Sequence, residues 1–221
     1  MNETVENTGT GAIVYDRAVI NQISAASFRP DGWRKARPVV GSLGAAGRGS
    51  NVIVSDDGSE YVLRHYRRGG LPGRVNRDLY LWLGEQRTRA FREWRLLARL
   101  YDMGLPVPRP AAAHYRRSGL FYTNDLLTVR EPGIRPLSDV LIEKQDEQFW
   151  RTIGSGIRCF HAAGVFHADL NAYNVQIDRH GNLFLLDFDR GRMLPYGGGW
   201  QQRTLARLCR SLSKIRRIEP R

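Results

Sequence analysis

The first part of the chain alternates short apolar runs with turn signals, a pattern that predicts β-strands. Within residues 39–66, VVGSLGAAGRGSNVIV has the form of a strand, a glycine-rich turn and a second strand. The DDGS at 56–59 predicts a hairpin turn, and the EYVLRHY after it alternates as a third strand would. AAAHYRRSGLFYTNDLLTV predicts another hairpin, whereas residues 1–37 are mostly polar and predict irregular structure.

Helical periodicity replaces this alternation in later segments. The pattern from Asp78 to Tyr101 predicts a helix, with Glu93, Leu97 and Leu100 on one face, and the GLPVPRP after it ends the helix. PLSDVLIEK and residues 146–163 predict two more helices. The segment WQQRTLARLCRSLSKI predicts a helix with an apolar face and a basic face. The apolar face carries Leu205, Leu208, Leu212 and Ile215, and the basic face carries Arg203, Arg207, Arg210 and Lys214.

The connector EPGIRP separates the strand-rich part from the helical part and predicts a boundary between two lobes. We place the first lobe at 1–130 and the second at 131–221.

A cluster of polar residues, His167, Asp169, Asn174, Asp187 and Asp189, stands among apolar positions of the second lobe. Asp169 can accept or orient a hydroxyl proton, while Asn174 and Asp187 offer the hard oxygen ligands that Mg²⁺ prefers. The alternative is a turn-rich hairpin whose aspartates cap turns, which accounts for any one of these residues but poorly for the whole set.

In order and spacing, the cluster resembles the catalytic loop and the D-F-G segment of protein-kinase-like phosphotransferases. The resemblance implies an α+β, two-lobe kinase fold, with a small β-rich N-lobe and a shortened, mainly helical C-lobe. It also implies ATP and Mg²⁺ as cofactors, with Asp169 as the catalytic residue and Asn174 and Asp187 as metal ligands.

The kinase order places nucleotide binding in the first lobe. The turn from Gly41 to Gly49 could cover phosphates with its backbone N–H groups, although it could equally be an ordinary flexible hairpin. Its candidate nucleotide-binding residues are Gly44, Gly47 and Gly49.

Kinases supply a lysine from the third strand, but this chain has no lysine between residues 36 and 143. Arg64 is the best substitute, and strand alternation puts Val62 on its face, where Val62 could pack on adenine. The alternative for Arg64 is a surface arginine. Glu93 is the candidate partner of Arg64, the alternative being an exposed Glu93 paired with Arg89.

The loop departs from protein kinases at Asn171, where those enzymes usually carry a lysine. Arg48, Arg190 or Arg192 could supply the missing charge to the acceptor or to a phosphate, and the residues do not decide among them. Asp189 replaces the glycine of D-F-G, which puts the hinge of that segment in doubt.

The charge and length of the chain bear on the acceptor. The net charge of +12 favours an anionic partner, which could be a nucleic acid, an acidic membrane or a phosphorylated substrate. Only 32 residues follow Asp189, without an A-P-E motif, so a non-protein acceptor is expected.

Several longer segments, among them VLRHYRRGG, TRAFREWRLLARL, FHADLNAYNV and LLDFDRGR, are similar to the 3-deoxy-D-manno-octulosonic acid (Kdo) kinases of Gram-negative bacteria. The similarity runs from about residue 9 to residue 217. It implies ATP-dependent phosphorylation of the 4-hydroxyl of the Kdo sugar of Kdo-lipid A, a step of lipopolysaccharide core biosynthesis.

The same resemblance implies a cytoplasmic protein, peripheral on the cytoplasmic face of the inner membrane. We find no apolar run long enough to span a bilayer, and MNETVENTGTG lacks the layout of a secretory signal. The basic face of the last helix suits an anionic membrane surface. No nucleic acid is expected as a partner, and no protein partner is inferred.

Two other functions stay open from the residues alone. One is a kinase of another small polyol or an aminoglycoside, and the other is a non-catalytic basic module that binds lipid or nucleic acid. Cys159 and Cys209 predict buried free thiols rather than a disulfide or metal site, and His161 and His167 predict structural roles.

Overall fold

A computed structural model describes residues 1–39, 51–56, 58–67, 78–141 and 146–218, with side chains to residue 215. The predicted glycine-rich turn, with Gly44, Gly47, Arg48 and Gly49, lies outside the described residues. The chain divides into a first unit, Met1–Asp102 with Pro108–Arg130, and a second unit, Met103–Val107 with Glu131–Arg221. Residues 103–107, expected in the first lobe, belong to the second unit, where the Leu185 N–H donates to the Pro106 carbonyl at 2.9 Å.

The first unit is built on an antiparallel sheet whose described strands run in the order β1-β2-β7-β8-β5-β4-β3, with β6 paired to β8. The strands are β1 (Glu3–Asn7), β2 (Gly11–Asp16), β3 (Lys35–Pro38), β4 (Asn51–Asp56), β5 (Ser59–His65), β6 (Tyr80–Leu81), β7 (Pro110–Ser118) and β8 (Phe121–Val129). The predicted hairpin β4–β5 and the hairpin β7–β8 are confirmed.

The irregular structure expected for residues 1–37 is wrong, because β1 and β2 and most of β3 lie there, with short 3₁₀ helices at Ala25–Phe28 and Pro30–Gly32. Strand β2 pairs with β1 on one side and β7 on the other, and Ala12 to Asp16 are all buried. A strand buried on both faces shows no polar–apolar alternation, so the pattern did not reveal it.

Helix α1 (Arg89–Asp102) packs on this sheet and buries Glu93, Leu97 and Leu100, as the periodicity predicted. Side chains of β8 cap its start, where the N–H of Arg89 donates to the Tyr122 hydroxyl at 3.2 Å and that of Ala90 to Asn124 Oδ1 at 2.9 Å. The predicted start at Asp78 is wrong, because β6 and a 3₁₀ turn (Glu85–Arg87) precede the helix.

The second unit contains helices α2 (Leu137–Val140), α3 (Glu147–Ala162) and α4 (Trp200–Ile218). Strands β9 (Arg135–Pro136), β11 (Val175–Ile177) and β12 (Leu183–Leu185) form an antiparallel sheet in the order β12-β11-β9. Strand β10 (Val165–Phe166) pairs with β13 (Arg192–Met193). In the part of the chain described, no helix has both the length and the apolar composition needed to cross a bilayer.

The inward face of α4 differs from the predicted leucine stripe. Gln201, Thr204 and Leu208 are buried, whereas Leu205 is 40% exposed. Polar side chains can occupy this face because they find partners there, since Thr204 Oγ1 lies 3.0 Å from His161 Nε2. The expectation of buried thiols is also wrong, because Cys159 and Cys209 lie on exposed helix positions.

A buried aspartate on β8 links two histidines of the first sheet. Asp125 Oδ1 lies 2.6 Å from His65 Nδ1, and Asp125 Oδ2 lies 3.8 Å from His114 Nδ1. The hydrogen bond with Asp125 raises the pKa of His65, against a smaller opposing effect of burial. Burial alone would raise the pKa of Asp125, but its bonds to His114 and His65 lower it overall.

The ion pair between His65 and Asp125 should make stability depend on pH. Because the pKa of His65 is raised by folding, its contribution is complete below about pH 6.5 and is lost as the pH rises through the folded-state value. We expect His65→Gln to lower the free energy of unfolding by about 1 kcal/mol at about pH 6, and by clearly less at about pH 9. Urea unfolding at both pH values measures this. His180→Gln in an exposed turn is the control, and an equal loss at both pH values would contradict the prediction.

Candidate active site

A buried triangle of polar side chains joins β5 to α1 in the first unit. Arg64 Nη2 donates to Glu93 Oε2 and, at 2.8 Å, to the Tyr66 hydroxyl. The Tyr66 hydroxyl donates in turn to Glu93 Oε2 at 2.6 Å. Glu93 is only 3% exposed, so the structure brings together the arginine and glutamate selected from the sequence.

The third member of the triangle, Tyr66, was missed by sequence reasoning. Burial raises the pKa of Tyr66 well above its usual value, so the hydroxyl keeps the proton that it donates to Glu93. The sequence does indicate Tyr66 in the segment YVLRHY, because strand alternation puts Val62, Arg64 and Tyr66 on one side. Val62 and Arg64 are both half-buried in β5, where they alternate with buried Tyr61 and Leu63.

The loop that follows β10 is shaped by two asparagine side chains. Asn171 Oδ1 accepts from the N–H groups of Tyr173 at 2.9 Å and Asn174 at 3.0 Å, which forms an Asx turn. The Nδ2 groups of Asn171 and Asn174 both donate to the Asp169 carbonyl, at 3.1 and 2.9 Å. Asn171 therefore folds the loop at the position where protein kinases usually carry a lysine.

His167 ties this loop to the segment that carries Asp187. Its Nε2–H donates to the Leu186 carbonyl at 2.9 Å, and its Nδ1 accepts from the Asp169 N–H at 3.2 Å. Burial lowers the pKa of His167, which favours the neutral imidazole that this pair of bonds requires. The ring also packs against Phe188, with centroids 4.8 Å apart. The predicted structural role of His167 is confirmed.

This geometry presents two oxygen ligands that suit Mg²⁺, one from Asn174 and one from Asp187. The Leu186 N–H donates to the Asn174 carbonyl at 3.0 Å, which brings Asp187 next to Asn174. Because Nδ2 of Asn174 is held by Asp169, its Oδ1 is the end of the amide left for a cation. Asp187 has a φ of 62°, a left-handed conformation that is uncommon for residues other than glycine. The donors fit magnesium, and within the described residues no group of three or more His, Cys, Asp or Glu suggests another metal site.

An arginine of α4 reaches the side chain of Asp169. Arg207 Nε donates to Asp169 Oδ1 at 2.8 Å, and Arg207 Nη2 donates to the same oxygen. On the predicted basic face of α4, Arg207 is therefore engaged in a contact within the protein. Helical periodicity placed Arg207 on that face, but no sequence signal links it to a loop 38 residues away.

Two of the other three arginines proposed to supply charge to the loop are among the described residues. Arg192 is on β13 with its guanidinium 5.2 Å from the Phe166 ring centroid. Arg190 is exposed in a left-handed turn, with a φ of 61°. Arg48 lies outside the described residues.

Comparison with solved structures identifies the class of fold. The chain aligns with the crystal structure of the Rio2 kinase–ADP/Mg²⁺–phosphoaspartate complex from Chaetomium thermophilum, with a TM-score of 0.50 and 17% identity. The alignment covers 80% of this chain and 54% of that chain, about half of its length. The fold is a protein-kinase-like fold.

Sequence comparison identifies the family. Residues 31–219 match the model of the lipopolysaccharide kinase (Kdo/WaaP) family, and the chain belongs to this family. A 3-deoxy-D-manno-octulosonic acid kinase of Stenotrophomonas maltophilia K279a is 44% identical over 212 residues, 96% of this chain and 84% of that protein. A protein with the same name from Xanthomonas campestris pv. campestris B100 is 45% identical over the same shares.

Removing the carboxylate of Glu93 from the buried triangle should lower the stability of the fold. Glu93→Ala takes the carboxylate from Arg64 and Tyr66, so we expect the free energy of unfolding to fall by about 3 kcal/mol, against about 1 kcal/mol for Tyr66→Phe. Chemical denaturation measures both. Glu147→Ala, which breaks an exposed pair with Arg151, is the control and should change little. A Glu93→Ala variant as stable as that control would contradict the prediction.

Proposed function

We propose that the protein transfers the γ-phosphoryl group of ATP to the 4-hydroxyl of the Kdo sugar of Kdo-lipid A. Membership of the lipopolysaccharide kinase family and the name shared by its relatives support this acceptor. The observation that carries the chemistry is the loop of the second unit, where His167 and the two asparagines hold Asp169 beside the candidate metal ligands.

Asp169 is proposed to accept the proton of the sugar hydroxyl as that oxygen attacks phosphorus. Its backbone is held at both ends, since its N–H donates to His167 and its carbonyl accepts from Asn171 and Asn174. The Asp169 side chain is 41% exposed, which leaves it accessible to a substrate. A general base must lie within hydrogen-bonding reach of the proton that it takes, and a rigid loop fixes that position.

Asn174 and Asp187 are the residues that would hold Mg²⁺, through the amide Oδ1 and the carboxylate. When bound, the cation would neutralise charge on the phosphates. In the first unit, Arg64 is proposed to contact phosphate oxygens, with Glu93 and Tyr66 fixing its orientation. Val62 is proposed to pack on adenine, and the backbone of Gly44, Gly47 and Gly49 to cover the phosphates.

The proposed site of action is the cytoplasmic face of the inner membrane, where the acceptor lipid is anionic. Arg203, Arg210 and Lys214 are exposed on α4 and could contribute about 1 kcal/mol each near such a surface. This attraction adds to recognition of an acidic sugar, and both suit the arginine-rich composition.

The experiment that tests the function is transfer from labelled ATP to Kdo-lipid A, with free Kdo, an aminoglycoside and a protein as alternative acceptors. We expect Mg²⁺-dependent labelling of Kdo-lipid A in preference to the others. Preferred labelling of the aminoglycoside or the protein would overturn the proposed acceptor.

The role of Asp169 predicts a specific loss. We expect Asp169→Asn to lower kcat for Kdo-lipid A about 10²- to 10⁴-fold, because an amide cannot take the proton. Asp31→Asn, at an exposed position of the first unit, is the matched control and should keep wild-type kcat. An Asp169→Asn enzyme with more than about half of wild-type kcat would show that the proton goes elsewhere.

A further inference from the structure

The contact between Arg207 and Asp169 calls for an explanation beyond stability. The two side chains are 50% and 41% exposed, and ion pairs exposed to solvent contribute little to folding stability. Holding a long arginine side chain in one position also costs conformational entropy. Yet Nε and Nη2 of Arg207 both converge on one oxygen, Oδ1 of Asp169.

The backbone of α4 places Arg207 at the loop by contacts on either side of it. One turn before Arg207, Thr204 is buried and meets His161. One turn after it, the Ser211 hydroxyl accepts from the N–H of Ala172, in the loop itself, at 3.2 Å. Leu208, next to Arg207, is only 5% exposed. The guanidinium thus extends from an anchored helix.

The loop itself supplies no cation at the lysine position. The amide of Asn171 is occupied with the backbone of Asp169, Tyr173 and Asn174. The guanidinium of Arg192 stacks on Phe166. A positive charge therefore reaches the catalytic carboxylate from α4.

We propose that Arg207 is a positioning residue that orients the Asp169 carboxylate for the reaction, in place of the loop lysine. Because both donors bind Oδ1, the other oxygen, Oδ2, is the one directed to the acceptor hydroxyl. This inference rests on the proposed function, and it assigns Arg207 an action through Asp169 rather than on the nucleotide or the membrane.

Steady-state kinetics of Arg207→Gln test the role, with the acceptor in detergent micelles. We expect kcat to fall about 10- to 100-fold while KM for ATP stays within about twofold, since a misplaced base slows chemistry without weakening nucleotide binding. Arg207→Lys should recover part of the loss. Arg158→Gln, at an exposed position on α3 of the same unit, should match wild type. Wild-type kcat in Arg207→Gln, or a change confined to KM for ATP, would overturn the proposal.

A double-mutant cycle distinguishes an effect of Arg207 that acts through Asp169 from one that does not involve Asp169. In the Asp169→Asn background, adding Arg207→Gln should reduce the residual kcat by less than about twofold, because the group it positions is gone. If the full loss seen in the single Arg207→Gln variant recurs in that background, Arg207 acts on another group and the proposal fails.

Hydrogen–deuterium exchange gives a measure that does not need turnover. Arg207→Gln should speed amide exchange in a peptide covering 167–174, and Arg158→Gln should not. Unchanged exchange in that peptide would count against positioning by Arg207. If the wild-type protein fails to label Kdo-lipid A, the proposed function fails, but exchange still decides whether Arg207 holds the loop.

Discussion

The loop proposed to carry catalysis depends on one buried imidazole, which its hydrogen bonds require to be neutral. His167 has a single ring proton, which it donates to the Leu186 carbonyl, while its other nitrogen accepts from the Asp169 N–H. One bond fixes the residue before Asp187 and the other fixes Asp169, so the proposed base and a proposed metal ligand are both held by His167. If the ring were protonated, Nδ1 would carry a hydrogen that faces the Asp169 N–H, and the hydrogen bond between them would be lost. Burial, which lowers the pKa of His167, therefore favours the neutral ring that this pair of hydrogen bonds requires.

Acidic side chains in both units are held by arginine rather than lysine. Glu93 is paired with Arg64, buried Asp16 with Arg109 at 3.0 Å, and Asp169 with Arg207. A guanidinium can bind two acceptors at once in a fixed plane, as Arg64 does with Tyr66 and Glu93. Burial disfavours the ionised form of Asp16, but bonds from Ala18, Arg109 and Asn2 keep its pKa low. In a chain with only three lysines, these three acids are thus paired with guanidinium groups, whose hydrogen bonds have a fixed direction.

The elements that the sequence predicted well share a visible period. The alternation in β5 and the helical spacing of Glu93, Leu97 and Leu100 match the pattern of buried and exposed residues in the structure. The match arises because each element has one face that is more exposed than the other. Prediction failed where that condition is absent or where polar groups are buried. Strand β2 is covered on both sides, and α4 buries Gln201 and Thr204 in place of Leu205. The start of α1 depends on Tyr122 and Asn124, which lie in a strand more than thirty residues away.

The sequence by itself determined the order of chemical groups, from Arg64 and Glu93 to Asp169, Asn174 and Asp187, because the spacing of a catalytic loop is a local property of the chain. Local patterns of apolar and polar residues also predicted most of the strands and helices. Only the tertiary structure decided that Tyr66 completes the buried triangle and that Arg207 meets Asp169. Those contacts join residues 27 and 38 positions apart in sequence, and a hydrogen bond or ion pair forms only when packing brings both groups to one place.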